Sequence, residues 1–145
     1  MRGQRNWGFE MARWLVKSEP FKYSWEQLNK DGQTVWDGVR NNQAAQYLRA
    51  MKLGDELFFY HSNEGLCIVG IAAVLGEHFI DPSDPKARFP AVMVGPRAPL
   101  PRAVTLAQMK AEPRLAGMAM FRQFRLSVVP ITDDEWNVVL EMAGA

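Results

Sequence analysis

Turn-forming residues interrupt this chain so often that no patterned segment in it grows long. Pro20, the pairs Asp31-Gly32 and Asp37-Gly38, Gly54, residues 62–65 and above all Asp81-Pro82-Ser83-Asp84-Pro85 cut the sequence into short runs. The runs alternate between β-rich and helix-patterned. Short strands interrupted by short helices describe an α+β domain built on a mixed, mainly antiparallel β-barrel with flanking short helices.

The apolar run 12–16 reads as a first strand that ends before Pro20, and residues 18–23 as the loop after it. Ser24-Trp25-Glu26-Gln27 has capping-box spacing, which predicts a short helix through Asn29 in which Gln27 reaches back to the cap. Residues 33–36 read as a strand closed by the turn Asp37-Gly38. With Asn41 or Asn42 as N-cap, Ala44, Leu48 and Met51 fall on one face of a helix ending near Gly54, and Gln46, Arg49 and Lys52 lie on its wet face. Residues 56–61 and 68–75 are expected to pair as a central hairpin. The Asp/Pro cluster 81–85 is expected to be an exposed loop, followed by a strand at 91–94. Two helical turns, after Thr105 and after Pro113, a last strand over 124–129 and a terminal helix capped by Thr132-Asp133-Asp134-Glu135 complete the pattern. That helix turns Trp136, Val139, Leu140 and Ala143 inward.

Composition bounds the function. A chain of 145 residues with 48% hydrophobic and 23% charged side chains is expected to form one domain with a real core, here residues 12–145. Residues 1–11 read as a flexible leader, with Met11 as an alternative start. Lys and Arg total 17 against 16 Asp and Glu, a net charge of +1, so any contact with nucleic acid must rest on a local site. The single cysteine, Cys67, has no disulfide partner and, with two histidines in the chain, no metal-ligand spacing; neither metal nor cofactor is expected. No signal peptide or membrane-spanning run is visible, which makes the cytoplasm the expected location.

Candidate chemistry gathers at three corners: Lys17-Ser18-Glu19-Pro20, Trp36-Asp37-Gly38-Val39-Arg40-Asn41 and Tyr60-His61-Ser62-Asn63. A pocket for an extruded base needs aromatic faces for stacking and polar groups aimed at the base edge, and these corners hold both kinds. From residue types alone, Trp36 is either such a wall or a core residue beside a turn. Arg122 and Arg125 are candidates for phosphate contact or for solvated surface charge, and Arg97 and Arg102, in a proline-punctuated loop, could extend the same patch. Enzyme motifs are missing. Ser62 lacks the Gly-x-Ser-x-Gly elbow that a triad with His61 and Asp37 would use, His61 reads better as a strand-end hydrogen-bonding residue, and Cys67 lies in an apolar strand as a packed thiol.

Trp14-Leu15-Val16-Lys17-Ser18-Glu19-Pro20, Trp36-Asp37-Gly38-Val39-Arg40-Asn41 and Phe58-Phe59-Tyr60-His61-Ser62-Asn63, followed by Ile68-Val69-Gly70-Ile71-Ala72 and Arg125-Leu126-Ser127-Val128-Val129-Pro130, resemble in order and spacing the EVE domain. The likeness runs over residues 12–143. EVE domains belong to the PUA-like group with ASCH and YTH domains, which implies a β-barrel with flanking helices. The family is bacterial-type as well as eukaryotic, and its members are thought to read modified bases, notably modified cytosines in DNA. The resemblance therefore implies a non-catalytic module that binds a modified cytosine or methylated adenine in DNA or RNA, and a monomer is expected. It implies a base pocket lined by Lys17, Ser18, Trp36, Arg40, Asn41, Asn42, His61, Ser62, Asn63 and Ser127, with Arg122 and Arg125 on phosphate. Asn42 stands where the family usually has Tyr, Glu64-Gly65-Leu66-Cys67 replaces its usual turn, and Gln123-Phe124 replaces more polar residues. The alternatives from other classes are a small-molecule or nucleotide-metabolite binder and a protein-interaction module.

Overall fold

The computed structural model describes residues 11–145, so the expected leader at 1–11 lies outside the described residues except for Met11. One curled sheet runs in the order β2-β6-β4-β3-β1-β7, with the two-residue β5 added on β6. Its strands are β1 (Arg13–Ser18), β2 (Thr34–Trp36), β3 (Glu56–His61), β4 (Cys67–Val74), β5 (Phe79–Ile80), β6 (Pro90–Thr105) and β7 (Val128–Ile131). All pairings are antiparallel except β1 with β3, which run parallel with Lys17 opposite Tyr60 and Ser18 opposite His61. The earliest strand thus lies between β3 and β7, and the sheet is the expected mixed, mainly antiparallel one.

Alternation along the strands divides the core in two, because neighbouring residues of a strand face opposite sides. Leu15, Phe58 and Val129 pack on one face with Met109, Leu115, Met118 and Trp136. Trp14, Val16, Leu57 and Phe59 pack on the other with Leu28, Leu48 and Met51. The first layer is carried by α3 (Leu106–Ala111), a 3-10 turn at Pro113–Leu115, α4 (Ala119–Arg122) and α5 (Asp133–Ala143). The second is carried by α1 (Trp25–Asp31) and α2 (Asn42–Ala50). Thr105 and Thr132 close full capping boxes with Gln108 and Glu135. Ser24 caps α1 through the Gln27 amide, whereas the Gln27 side chain turns forward to Asp31 Oδ1 (2.8 Å) rather than back to the cap.

Three further expectations are corrected. The Asp/Pro loop is not wholly exposed: Asp81 is completely buried and Asp84 nearly so, because each carboxylate gathers backbone N–H groups that would otherwise lack partners. Arg97 and Arg102 stand on a strand, not in a loop, since β6 carries its prolines through 16 residues by breaking register with β4 and leaving residues 100–103 unopposed. The last strand begins at Val128, not at 124, because Ala119–Arg122 forms a helix and residues 123–125 turn out of it. That turn moves Phe124 and Arg125 off the sheet and onto a lip.

Candidate functional site

The sheet is open, with β2 and β7 as its two edges. A cleft of about 1140 Å³ is lined from both of them, by Thr34, Val35 and Trp36 on one side and Leu126 and Ser127, leading into β7, on the other. Between these edges the floor comes from the ends of β1 and β3, where Lys17, Ser18, Tyr60 and Ser62 lie. This volume lies above the usual range for small-ligand pockets.

The floor is a pair of donors. Lys17 and Tyr60 are register partners in the parallel β1–β3 ladder and project to the same face. Lys17 Nζ donates to the Phe124 carbonyl (2.8 Å), which leaves two of its three ammonium hydrogens for a ligand. Burial holds its pKa below the ordinary lysine value. Tyr60 is 3% exposed, and among the described residues its hydroxyl has no hydrogen-bond partner. Burial, and then nearby Cys67, pushes its pKa up, so the hydroxyl stays protonated and able to donate. A buried hydroxyl without a partner loses free energy unless a ligand supplies one.

Aromatic surface lines the walls. Trp36 is buried, meets Phe59 edge to face (centroids 5.6 Å) and Tyr23 likewise (6.4 Å), and still borders the cleft. It is thus a core residue, one of the two alternatives its sequence position left, and its remaining surface faces the cleft. Tyr23 is held by its hydroxyl to Asp31 Oδ2 (2.8 Å), and Ser18 Oγ donates to the Tyr23 carbonyl (2.5 Å). Lys17, Lys22, Lys110 and Arg125 line the cleft against two carboxylates, Glu19 and Asp37, so the near-neutral molecule is locally positive there.

Of the residues marked in the sequence, Lys17, Ser18, Trp36, Ser62, Asn63, Arg125 and Ser127 come together in the cleft. The others stand behind it in identifiable roles. Arg40 donates to buried Asp81 (2.9 Å) and to Ser83 (3.3 Å). Asn41 Oδ1 caps α2 by accepting from the Gln43 and Ala44 amides, and Asn42 is the first residue of that helix. His61 Nε2 accepts from the Trp25 amide (3.1 Å), a role that its burial-lowered pKa suits by keeping the ring neutral. Arg122 donates to the Gly117 carbonyl (2.8 Å). Arg97 pairs with Glu56, and Arg102 donates to Met142.

Asp81 organises the cleft lip from outside. Its Oδ2 accepts from the Gly38 amide and from Arg40, and its Oδ1 from the Ser83 amide and hydroxyl. Burial alone would raise its pKa, but these hydrogen bonds outweigh burial and hold the carboxyl well below the usual range. Gly38 sits at φ 78°, a left-handed conformation that glycine adopts without strain, so the Asp37-Gly38 corner is pinned in place.

Tyr60, Tyr23, Lys22, Lys110 and Phe124 line the site without having been singled out as ligand contacts. Tyr60 carried a signal, its place beside His61-Ser62-Asn63, and so did Phe124, next to the phosphate candidate Arg125. Among the described residues, no helix is long and apolar enough to cross a membrane, and no three His, Cys, Asp or Glu side chains converge as a metal site.

The model of the EVE domain matches residues 12–142. This chain belongs to the EVE domain family. Human thymocyte nuclear protein 1 is 34% identical to this EVE chain, over 90% of it and 73% of the human protein. An NMR structure of a Rhodopseudomonas palustris protein superposes with a TM-score of 0.88 at 48% identity, covering 92% of this chain and 94% of that one. The crystal structure of human THYN1 protein in complex with 5-methylcytosine-containing DNA is similar at a TM-score of 0.85 and 33% identity, covering 92% and 98%. The curled sheet with short helices on both faces is therefore an EVE-family, PUA-like fold.

Proposed function

We propose that this EVE domain is a non-catalytic reader of a modified nucleobase, a modified cytosine before a methylated adenine, which it takes out of a nucleic acid and holds in the cleft. The observation that carries this reading is the donor pair on the floor, Lys17 beside a buried Tyr60 hydroxyl that has no hydrogen-bond partner among the described residues, in a chain 33% identical to a protein crystallised with 5-methylcytosine DNA. The Watson–Crick edge of cytosine presents two adjacent acceptors, O2 and N3. Adenine presents one, N1, and thymine replaces the second by an N–H that would oppose a donor.

The energetics are consistent. Extruding a base costs a few kcal/mol, stacking on an aromatic returns about 1–3 kcal/mol, and each added hydrogen bond contributes about 0.5–1.5 kcal/mol. Arg125 and Lys110 at the rim can add phosphate contacts. The absence of catalysis is supported by the occupation of the groups a hydrolase would use: His61 engages its Nε2 with Trp25 and does not line the cleft beside Ser62.

The test is a titration of the purified protein with matched oligonucleotides carrying cytosine, 5-methylcytosine, 5-hydroxymethylcytosine or N6-methyladenine, followed by tryptophan fluorescence. Saturable binding to a modified cytosine, with much weaker binding to the unmodified partner, is the expected result. Equal or absent binding across the panel overturns the reading and leaves a small-molecule ligand for the same cleft.

A further inference from the structure

The tightly made turn at the cleft mouth carries a side chain that the pocket itself does not need. Among the described residues lining the cleft, five are aromatic: Tyr23, Trp36, Tyr60, Phe121 and Phe124. Four are buried or half-buried, whereas Phe124 is 67% exposed. A single exposed apolar side chain is ordinary, but this one stands on a turn held by several bonds at the mouth of the cleft. The Gln123 amide donates to the Ala119 carbonyl (2.7 Å) and the Leu126 amide to the Gln123 carbonyl (3.0 Å). The Tyr47 hydroxyl meets Gln123 Oε1 (3.3 Å), and the Phe124 carbonyl accepts from Lys17 Nζ on the cleft floor. The Arg125 guanidinium covers the ring at 5.7 Å from its centroid. A preformed backbone thus presents an apolar ring to solvent, beside cations, at the entrance to a cleft.

A duplex from which one base has been extruded has a complementary defect. It keeps a gap in the stack, flanked by phosphates, at the entrance to whatever pocket receives the base, and apolar side chains fill such gaps by entering between base steps. Resting on the base-reader reading above, we propose that Phe124 is a wedge that enters the helical stack in place of the extruded base, with Arg125 on the adjacent phosphate, so that the favoured ligand is a duplex rather than a single strand or a free nucleoside. A single strand has no stack to close. Phe124 is then idle, and only the pocket acts.

The experiment compares wild type, Phe124→Ala and Phe124→Leu on one 5-methylcytosine oligonucleotide, as a duplex and as a single strand, with 2-aminopurine beside the modified base to report unstacking. Phe124 is exposed, so both variants are expected to fold, and circular dichroism checks this. The wedge predicts that Phe124→Ala weakens duplex binding about tenfold, the order of one lost aromatic–base contact, and lowers the 2-aminopurine signal. Single-strand affinity changes less than twofold, and Phe124→Leu retains most of the duplex affinity. Equal loss on both forms makes Phe124 a pocket wall, and no loss on either makes it a bystander; both overturn the wedge and leave base reading intact. Failure of the wild type to bind the modified base in either form overturns the reading and the wedge together.

Discussion

Tyr60 concentrates the argument at the scale of a single residue. It belongs to the core layer that holds Leu15, Phe58 and Ile68, so Tyr60→Phe keeps the apolar ring there and removes only the hydroxyl. In the free protein that hydroxyl has no partner among the described residues, and its loss is expected to leave the melting temperature unchanged or slightly higher. Affinity for the modified base is expected to fall about tenfold, the loss of one buried hydrogen bond, and discrimination against thymine is expected to narrow with it. Thermal melts beside a titration separate the two effects, and a variant that loses stability but not affinity would make Tyr60 structural. The aromatic and polar inventory of the site was legible in the sequence, because Lys17, Ser18, Trp36, Ser62 and Asn63 sit in corners whose turn chemistry is local. What side chains do there was not legible: Arg40 and His61 carry ligand-like chemistry but face Asp81 and Trp25, partners 41 and 36 residues away.

Elements are placed by their ends, and the lip of the cleft depends on one buried carboxylate. Asp81→Asn keeps the shape but removes the charge that binds Arg40 and the Gly38 amide. A loss of about 2 kcal/mol in stability is expected from chemical denaturation, the range for hydrogen bonds to a charged group. Because the folded carboxyl titrates below its unfolded value, this contribution is present above about pH 4 and is lost as pH falls toward the folded pKa. Melting curves from pH 6 to pH 3 should therefore drop for wild type and flatten for Asp81→Asn. Helix caps were readable because Ser24, Asn41, Thr105 and Thr132 act within three residues of themselves. The path of β6 was not, since Pro96, Pro99 and Pro101 look like breakers until register shifts against β4 accommodate them. The same limit applies to residues 119–127, where a short helix and a turn replace an expected strand because Met118, Ala119 and Met120 are buried against the sheet.

For the molecule as a whole, charge is the property that governs association. With a net charge of +1 and a locally cationic cleft, binding to unmodified duplex is expected to be weak, while binding to the modified duplex keeps a shallow salt dependence. Arg125→Ala should reduce the slope of log affinity against log salt by about one if Arg125 meets a phosphate. An unchanged slope would remove it from the backbone contacts. The place of β1 between β3 and β7 has a consequence in time as well as in space. Lys17 enters the molecule early in the chain, yet its amide is bonded to the Ser127 carbonyl and its ammonium to Phe124, more than a hundred residues later. The first strand must therefore wait for the last before the cleft wall of Leu126 and Ser127 exists. Such non-local closure slows folding, so a nascent chain on the ribosome would have no binding activity until its final strand had emerged.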